Sequence, residues 1–223
     1  MVYRLDNNDV WFPNPLIYPP EKDGTFCYGG KLTPEWLLLA YSNGIFPWFA
    51  FRWHSEPVWY CPMERFVIFP NEIHISHSMR TMMNKEGYDV TFNKCFDKVI
   101  SHCSQLRIDE EGAWLGEDII KAYTKLHDLG FAMSVETWYN DELIGGLYGV
   151  TLGHCFFGES MFSLKPNGSK MALIQLASAL SRFNDSIIDC QFETKHLKSM
   201  GGRHIPYQDY IDRLAKSIEY EED

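Results

Sequence analysis

Apolar residues along the chain recur with a few clear periods, and each period predicts an element. Leu173, Leu176, Ala177 and Leu180 share one face at i, i+3, i+4, i+7, so residues 169–181 read as a packed helix. Thr33-Pro34 supplies a cap and a first-turn proline for a short helix over 35–42, and Asn43-Gly44 stops it. Further helices are expected at about 76–85, 93–103 and 117–129, the first and last followed closely by Gly87 and Gly130, with a closing helix over 207–217. Residues 132–138 and 143–150 read as strands flanking the polar Tyr139-Asn140-Asp141-Glu142, a hairpin signal, and 154–158 adds a third strand. Residues 187–192 read as another strand, in which period two sets Asp189 and Gln191 on one face. The opening Trp11-Phe12-Pro13-Asn14-Pro15, with Pro19-Pro20 after it, is expected to be extended, because proline fixes φ and restricts its predecessor.

Strands and helices mix without strict alternation, which predicts an α+β or mixed α/β fold around a largely antiparallel sheet. The texture changes around Arg52 to Glu64, giving a small N-terminal domain over 1–62 and a larger domain over 63–223. At 223 residues, 45% of them apolar and 15% aromatic, the chain can bury a real core. A formal charge of −10 and an acidic end at Glu219, Glu221, Glu222 and Asp223 exclude a protein living by non-specific phosphate contacts, so any nucleic acid must meet a local patch. No stretch is apolar for the twenty or so residues a membrane span needs, and Met1 leads into Arg4, Asp6, Asn7 and Asn8, so a cytoplasmic location is expected. Six scattered cysteines without a CxxC pair suggest neither disulfides nor a zinc knuckle.

The phosphate loop GxxxxGK[ST], GxGxxG and HExxH are all absent, and Gly158-Glu159-Ser160-Met161-Phe162 lacks the second glycine of a nucleophile elbow. His74 and His77 lack a third ligand, so no metal is expected. Three segments carry unusual combinations. In 156–162 an ionisable Glu159 sits among aromatics, where burial demands a cation or donor as partner. In 187–192 an acceptor, Asp189, and an amide, Gln191, interrupt an apolar run. In 44–49 a stiff aromatic loop includes Trp48, with Trp53, Trp59 and Tyr60 nearby. Aromatics of this kind stack bases at about 1–3 kcal/mol each, although the same residues also simply fill cores.

Read in order, these words resemble the leucyl/phenylalanyl-tRNA–protein transferase family. The match runs through Trp11-Phe12-Pro13, Gly29-Gly30, YSNGIFPWF over 41–49, Trp59 to Pro62, His74-Ile75-Ser76, Gly112 to Leu115, Tyr123 with Leu126-His127, Gly145 to Val150, FGESMFS over 157–163, Ser169-Lys170 and Asp189-Cys190-Gln191. The resemblance implies a small N-terminal domain joined to an acyltransferase-like, GNAT-type mixed-sheet domain. It implies an enzyme that moves Leu or Phe, and less readily Met, from aminoacyl-tRNA to proteins beginning with Arg or Lys, without a cofactor, marking them for degradation. Residue by residue, it implies Glu159, Asp189 and Gln191 as the polar centre, Met161, Leu173, Leu176 and Ile188 as lining of the aminoacyl pocket, and Trp48 and Trp114 around the terminal adenosine.

The chemistry asks for little beyond these parts. An aminoacyl ester is already activated, so a neutral amine must be held near the carbonyl, its proton accepted and the oxyanion stabilised. Asp189 is expected to orient Gln191 and help manage the amine proton, Gln191 to contact the amine or carbonyl, and Glu159 to complement the cationic end of the acceptor. The segment 76–85 offers only Arg80 and Lys85 as cations, fewer than the family's tRNA-facing surface, with Lys165, Lys170, Lys195, Lys198 and Arg203 as candidates to compensate. Two alternatives stay open: a CoA-dependent N-acyltransferase on the same fold, and a non-catalytic module that holds peptide or RNA ends.

Overall fold

The structure is a computed structural model, described for residues 2–48, 56–111 and 117–219, with backbone alone at 106–111 and 219. The N-terminal domain carries a four-stranded sheet of β1 (Tyr3–Leu5), β2 (Thr25–Gly29), β3 (Phe46–Pro47) and β4 (Val58–Tyr60), in the order β1-β2-β4-β3. Helix α1 (Pro34–Ser42) lies between β2 and β3 and stops as its sequence dictates, at Asn43 and a left-handed Gly44 with φ +64°. Its core is aromatic: the Phe12 ring meets Trp36 and Trp59 edge-on at 5.4 and 4.9 Å.

The larger sheet has seven strands in the order β11-β5-β10-β9-β8-β7-β6. They are β5 (Glu64–Ile68), β6 (Tyr88–Phe92), β7 (Ala132–Tyr139), β8 (Glu142–Leu152), β9 (Cys155–Ser163), β10 (Ile187–Asp189) and β11 (Arg203–Pro206). Every pairing is antiparallel except β9 with β10, which are joined by the crossover helix α5 (Gly168–Leu180). The turn between β7 and β8 sets Asn140 and Asp141 at φ +50° and +65°, the left-handed pair of a two-residue hairpin.

Strand alternation sends side chains to two cores. Phe66, Ile68, Leu147 and Ile188 pack with α5, with Met79 of α2 (His77–Met83) and with Leu197 of α6 (Lys195–Ser199). Val67, Val150, Phe157 and Ile187 join a cluster with α3 (Phe96–Glu111), α4 (Glu117–Asp128) and α7 (Tyr207–Glu219), which continues into the N-terminal domain. No helix among the described residues is long and apolar enough to cross a membrane.

Two expectations are corrected. The strand expected over 187–192 ends at Asp189, and Gln191 takes φ +57°, so the period-two reading that set Asp189 and Gln191 on one strand face does not hold. The helix expected at 93–103 starts at Phe96, after a left-handed Asn93 with φ +55°, and runs on to Glu111.

Candidate active site

The parallel pair of the seven-stranded sheet is the place where neighbouring strands part. Strands β9 and β10 are in register only through Ile187↔Cys155, Ile188↔Phe156 and Asp189↔Phe157, after which β10 ends and β9 runs on to Ser163. At the parting, a Cβ on Gly158 would stand 3.5 Å from the Asp189 carbonyl oxygen, so the two strands still lie close there. One residue further, the β8–β9 register slips: Tyr148 faces Ser160 and Gly149 faces Gly158, leaving Glu159 as an extra residue. A bulge of this kind re-aims a side chain. Here it separates Glu159, whose carboxylate reaches the α1 and α4 side, from Met161, which packs against the α5 side.

Two tyrosines hold Glu159. The Tyr41 hydroxyl from α1 donates to Oε1 at 2.5 Å, and the Tyr123 hydroxyl from α4 donates to Oε2 at 2.9 Å, with the two hydroxyl oxygens 2.6 Å apart. Burial first, and then the Glu159 charge, keep both phenols protonated well above the ordinary tyrosine range. One donor comes from each domain.

Asp189 sits in a second, fully buried knot. Arg65 of β5, 0% exposed, grips the 1%-exposed Asp189 with Nε at 2.8 Å from Oδ1 and Nη2 at 2.7 Å from Oδ2. The Tyr210 hydroxyl of α7 donates to Oδ2 at 2.9 Å and the Gln191 backbone N–H to Oδ1 at 2.9 Å. Burial opposes the Arg65 charge, but Asp189 beside it more than compensates and holds the guanidinium above its usual value. The Gln191 carbonyl accepts from Phe66 N at 3.4 Å, and Cys190 N donates to Phe66 O at 2.9 Å. Both peptide groups of Gln191 are therefore fixed, which sustains a left-handed backbone that glutamine otherwise avoids. Both carboxylate oxygens are thus occupied by donors, one of them the Gln191 backbone N–H.

The next residue starts an aromatic bracket. The Trp48 ring packs against Phe192 at 4.0 Å between centroids and against Tyr60 at 5.2 Å, and Phe46 meets Phe192 edge-on at 5.7 Å. Trp48 is only partly buried, as a base-stacking residue needs to be. Trp114 lies outside the described residues. Leu173, Leu176 and Ile188 are buried together in the α5-side core, and the partly buried Met161 packs against them. They lie on the opposite sheet face from Asp189, since Ile187 and Ile188 alternate between the two cores.

The start of α5 bears on the CoA alternative. Gly168 N donates to Lys165 O, Ser169 N to Ser163 Oγ, and Met171 N to Asn167 O. A pyrophosphate cradle needs such amides open, so the turn offers little to that ligand. Among the compensating cations, Lys165, Lys198 and Arg203 pair with Glu142, Glu193 and Glu72. Sequence reading assigned no role to Tyr41, Tyr123, Arg65, Tyr210 or Phe192. Arg65 carried a usable signal, a lone cation opening the apolar run Phe66-Val67-Ile68-Phe69, whereas its partner lies 124 residues away.

Comparison with known proteins adds an independent line. A family profile described as "Leucyl/phenylalanyl-tRNA protein transferase" matches residues 67–215, and that of its N-terminal domain matches residues 30–63. The chain is 45% identical over 220 residues to the leucyl/phenylalanyl-tRNA--protein transferase of Desulforapulum autotrophicum, covering 98% of this chain and 93% of that one. It is 46% identical over 210 residues to the one from Flavobacterium psychrophilum, covering 93% and 97%. A solved structure of a functionally unknown conserved protein from Staphylococcus epidermidis overlays with a TM-score of 0.38 at 10% identity, over 64% of this chain and 57% of that one, too loose a likeness to carry a fold assignment.

Proposed function

The chain belongs to the leucyl/phenylalanyl-tRNA–protein transferase family and is an aminoacyltransferase, and from that premise we propose that it transfers Leu or Phe, less readily Met, onto the N-terminal amine of proteins that begin with Arg or Lys. The transfer marks those acceptors for degradation in the cytoplasm. A small domain over 1–62 and a GNAT-type acyltransferase domain over 63–223 carry the work.

The observation that supports this reading best is the clamping of Gln191 between Asp189 and β5, one residue before the Trp48–Phe192 bracket. The terminal adenosine stacks on Trp48, with Trp114 as its second aromatic. Its aminoacyl side chain enters between Met161, Leu173, Leu176 and Ile188. The acceptor amine, neutral in useful proportion because α-amines titrate near about 7.7–8.0, hydrogen-bonds to the Gln191 amide and attacks the ester carbonyl. A C–N bond forms, the ester C–O bond breaks, and the amine proton passes to the departing ribose oxygen. Glu159, steadied by Tyr41 and Tyr123, faces the acceptor's cationic side chain. Asp189 acts by holding Gln191.

The test is to incubate the purified protein with Leu-, Phe-, Met- and Val-tRNA and with peptides beginning Arg, Lys or Ala, then to weigh the peptides, with Asp189→Ala alongside. Mass gains of Leu or Phe on the Arg and Lys peptides alone, lost in Asp189→Ala, are expected. Equal gain on the Ala peptide would overturn the acceptor reading, and an active Asp189→Ala would overturn the centre.

A further inference from the structure

We propose that Arg65 is the positioning residue that fixes the distance between the Gln191 amide and the Trp48 bracket, and so the alignment of amine with ester. The inference rests on the role given to Gln191 above. A guanidinium has an edge and flat faces, and Arg65 uses both kinds of surface. Its edge, through Nε and Nη2, holds Asp189, and Asp189 holds the Gln191 N–H. One face carries the Phe46 ring, with Cζ 4.6 Å from the centroid, and a second ring, Tyr210, lies 4.9 Å away. Phe46 in turn abuts Phe192 at 5.7 Å and Tyr60 at 6.3 Å, the two residues against which Trp48 packs at 4.0 and 5.2 Å.

The two halves of the site thus hang from one rigid planar group, by a hydrogen-bonded arm on one side and an aromatic arm on the other. The aromatic arm starts from Phe46, after α1, while Asp189 ends β10 and Gln191 follows it. Lysine could supply the charge but neither the fork nor the stacking face. Nη1 of Arg65 is buried without a hydrogen-bond partner among the described residues, which a group kept for stability alone would not favour.

Arg65→Lys, Phe46→Leu, their combination and Gln191→Ala separate the possibilities, with kcat and KM measured per folded molecule for aminoacyl-tRNA and an Arg peptide. Misplacing reacting groups by about 1 Å costs on the order of a hundredfold. Arg65→Lys is expected to lower kcat by about 10- to 100-fold with the peptide KM within about threefold. Phe46→Leu is expected to lower kcat by about 5- to 20-fold, and the combined loss to fall well short of the product, because both arms act through one group. If the lysine variant does not fold, the Phe46→Leu result decides: wild-type kcat there overturns the proposal. An Arg65→Lys enzyme that loses stability but keeps wild-type kcat per folded molecule also overturns it, as does a combined loss equal to the product. A fully active Gln191→Ala enzyme instead removes the underlying reading of the centre, which distinguishes that failure from a failure of the Arg65 proposal alone.

Discussion

Replacing Tyr41 by Phe removes one oxygen and leaves the ring, which packs 5.0 Å from Phe157, in place. What is lost is the 2.5 Å donation to Glu159 Oε1 and the 2.6 Å contact with the Tyr123 hydroxyl. A hydrogen bond to a charged acceptor contributes about 1.5–3 kcal/mol. Glu159 is only partly buried and regains some water, so about 1–2 kcal/mol is the expected cost. For a chain of this size that lowers Tm by roughly 2–8 °C. Tyr123→Phe removes the donor to Oε2 and should cost a similar amount. The double variant is the informative one: the two hydroxyls share one carboxylate and one contact with each other, so the combined cost departs from the sum by about 0.5–3 kcal/mol. Chemical denaturation of the four proteins measures this. Additivity within about 0.5 kcal/mol would refute the reasoning, since it would mean that Glu159 does not share its charge between the two phenols. In the transfer assay the single variants should raise the acceptor KM more than they lower kcat, because the proposed partner of Glu159 is the acceptor's cationic side chain rather than the ester.

Alkaline pH should destabilise the fold through its buried thiols. Burial pushes the Cys61 thiol up to about 12 and the Cys155 thiol up to about 11, whereas an unfolded thiol ionises near about 8.5. The protonated forms stabilise the fold fully below about pH 8.5, and that stability is lost as pH rises toward 11 and 12, at about 1.4 kcal/mol per pH unit for each group. A Tm that stays flat from pH 8.5 to 10.5 would contradict this. Gly168→Ala should cost at least about 1–3 kcal/mol by overpacking, because its Cβ would fall 2.5 Å from the Ile144 carbonyl oxygen and 2.9 Å from the Gly145 Cα, both backbone. Gly130→Ala is the contrast: nothing lies within 4 Å, and only its φ of +84° opposes the side chain, at about 1–2 kcal/mol. Urea midpoints for the two should therefore differ in origin, with transfer activity falling only in Gly168→Ala, where α5 carries Leu173 and Leu176.

Local chemistry was legible wherever one segment determines its own shape. The Asn43-Gly44 stop of α1, the Asn140-Asp141 hairpin and the apolar face of α5 all follow from neighbours in sequence. The small N-terminal sheet was not legible, because its strands are two to five residues long and set among prolines, too short to show a period. The Asp189-Gln191 pair was found for a reason that needed correction: both residues matter to one knot, but a left-handed turn brings them together and no strand face does. Arg65 and Tyr210 were invisible as partners of Asp189, since nothing in β5 or α7 announces a contact 124 or 21 residues away.

The knot around Asp189 draws on β5 for its cation and on α7, the last helix described, for its phenol. During synthesis Arg65 precedes the carboxylate by 124 residues, whereas the Tyr210 phenol follows it by 21. A fragment interrupted before Tyr207 would lack the Tyr210 phenol and the buried Tyr207, Tyr210 and Leu214 that α7 gives to the core. The Asp189 knot is complete only once α7 has docked, and copies of this protein terminated before it should show no transfer in the peptide assay.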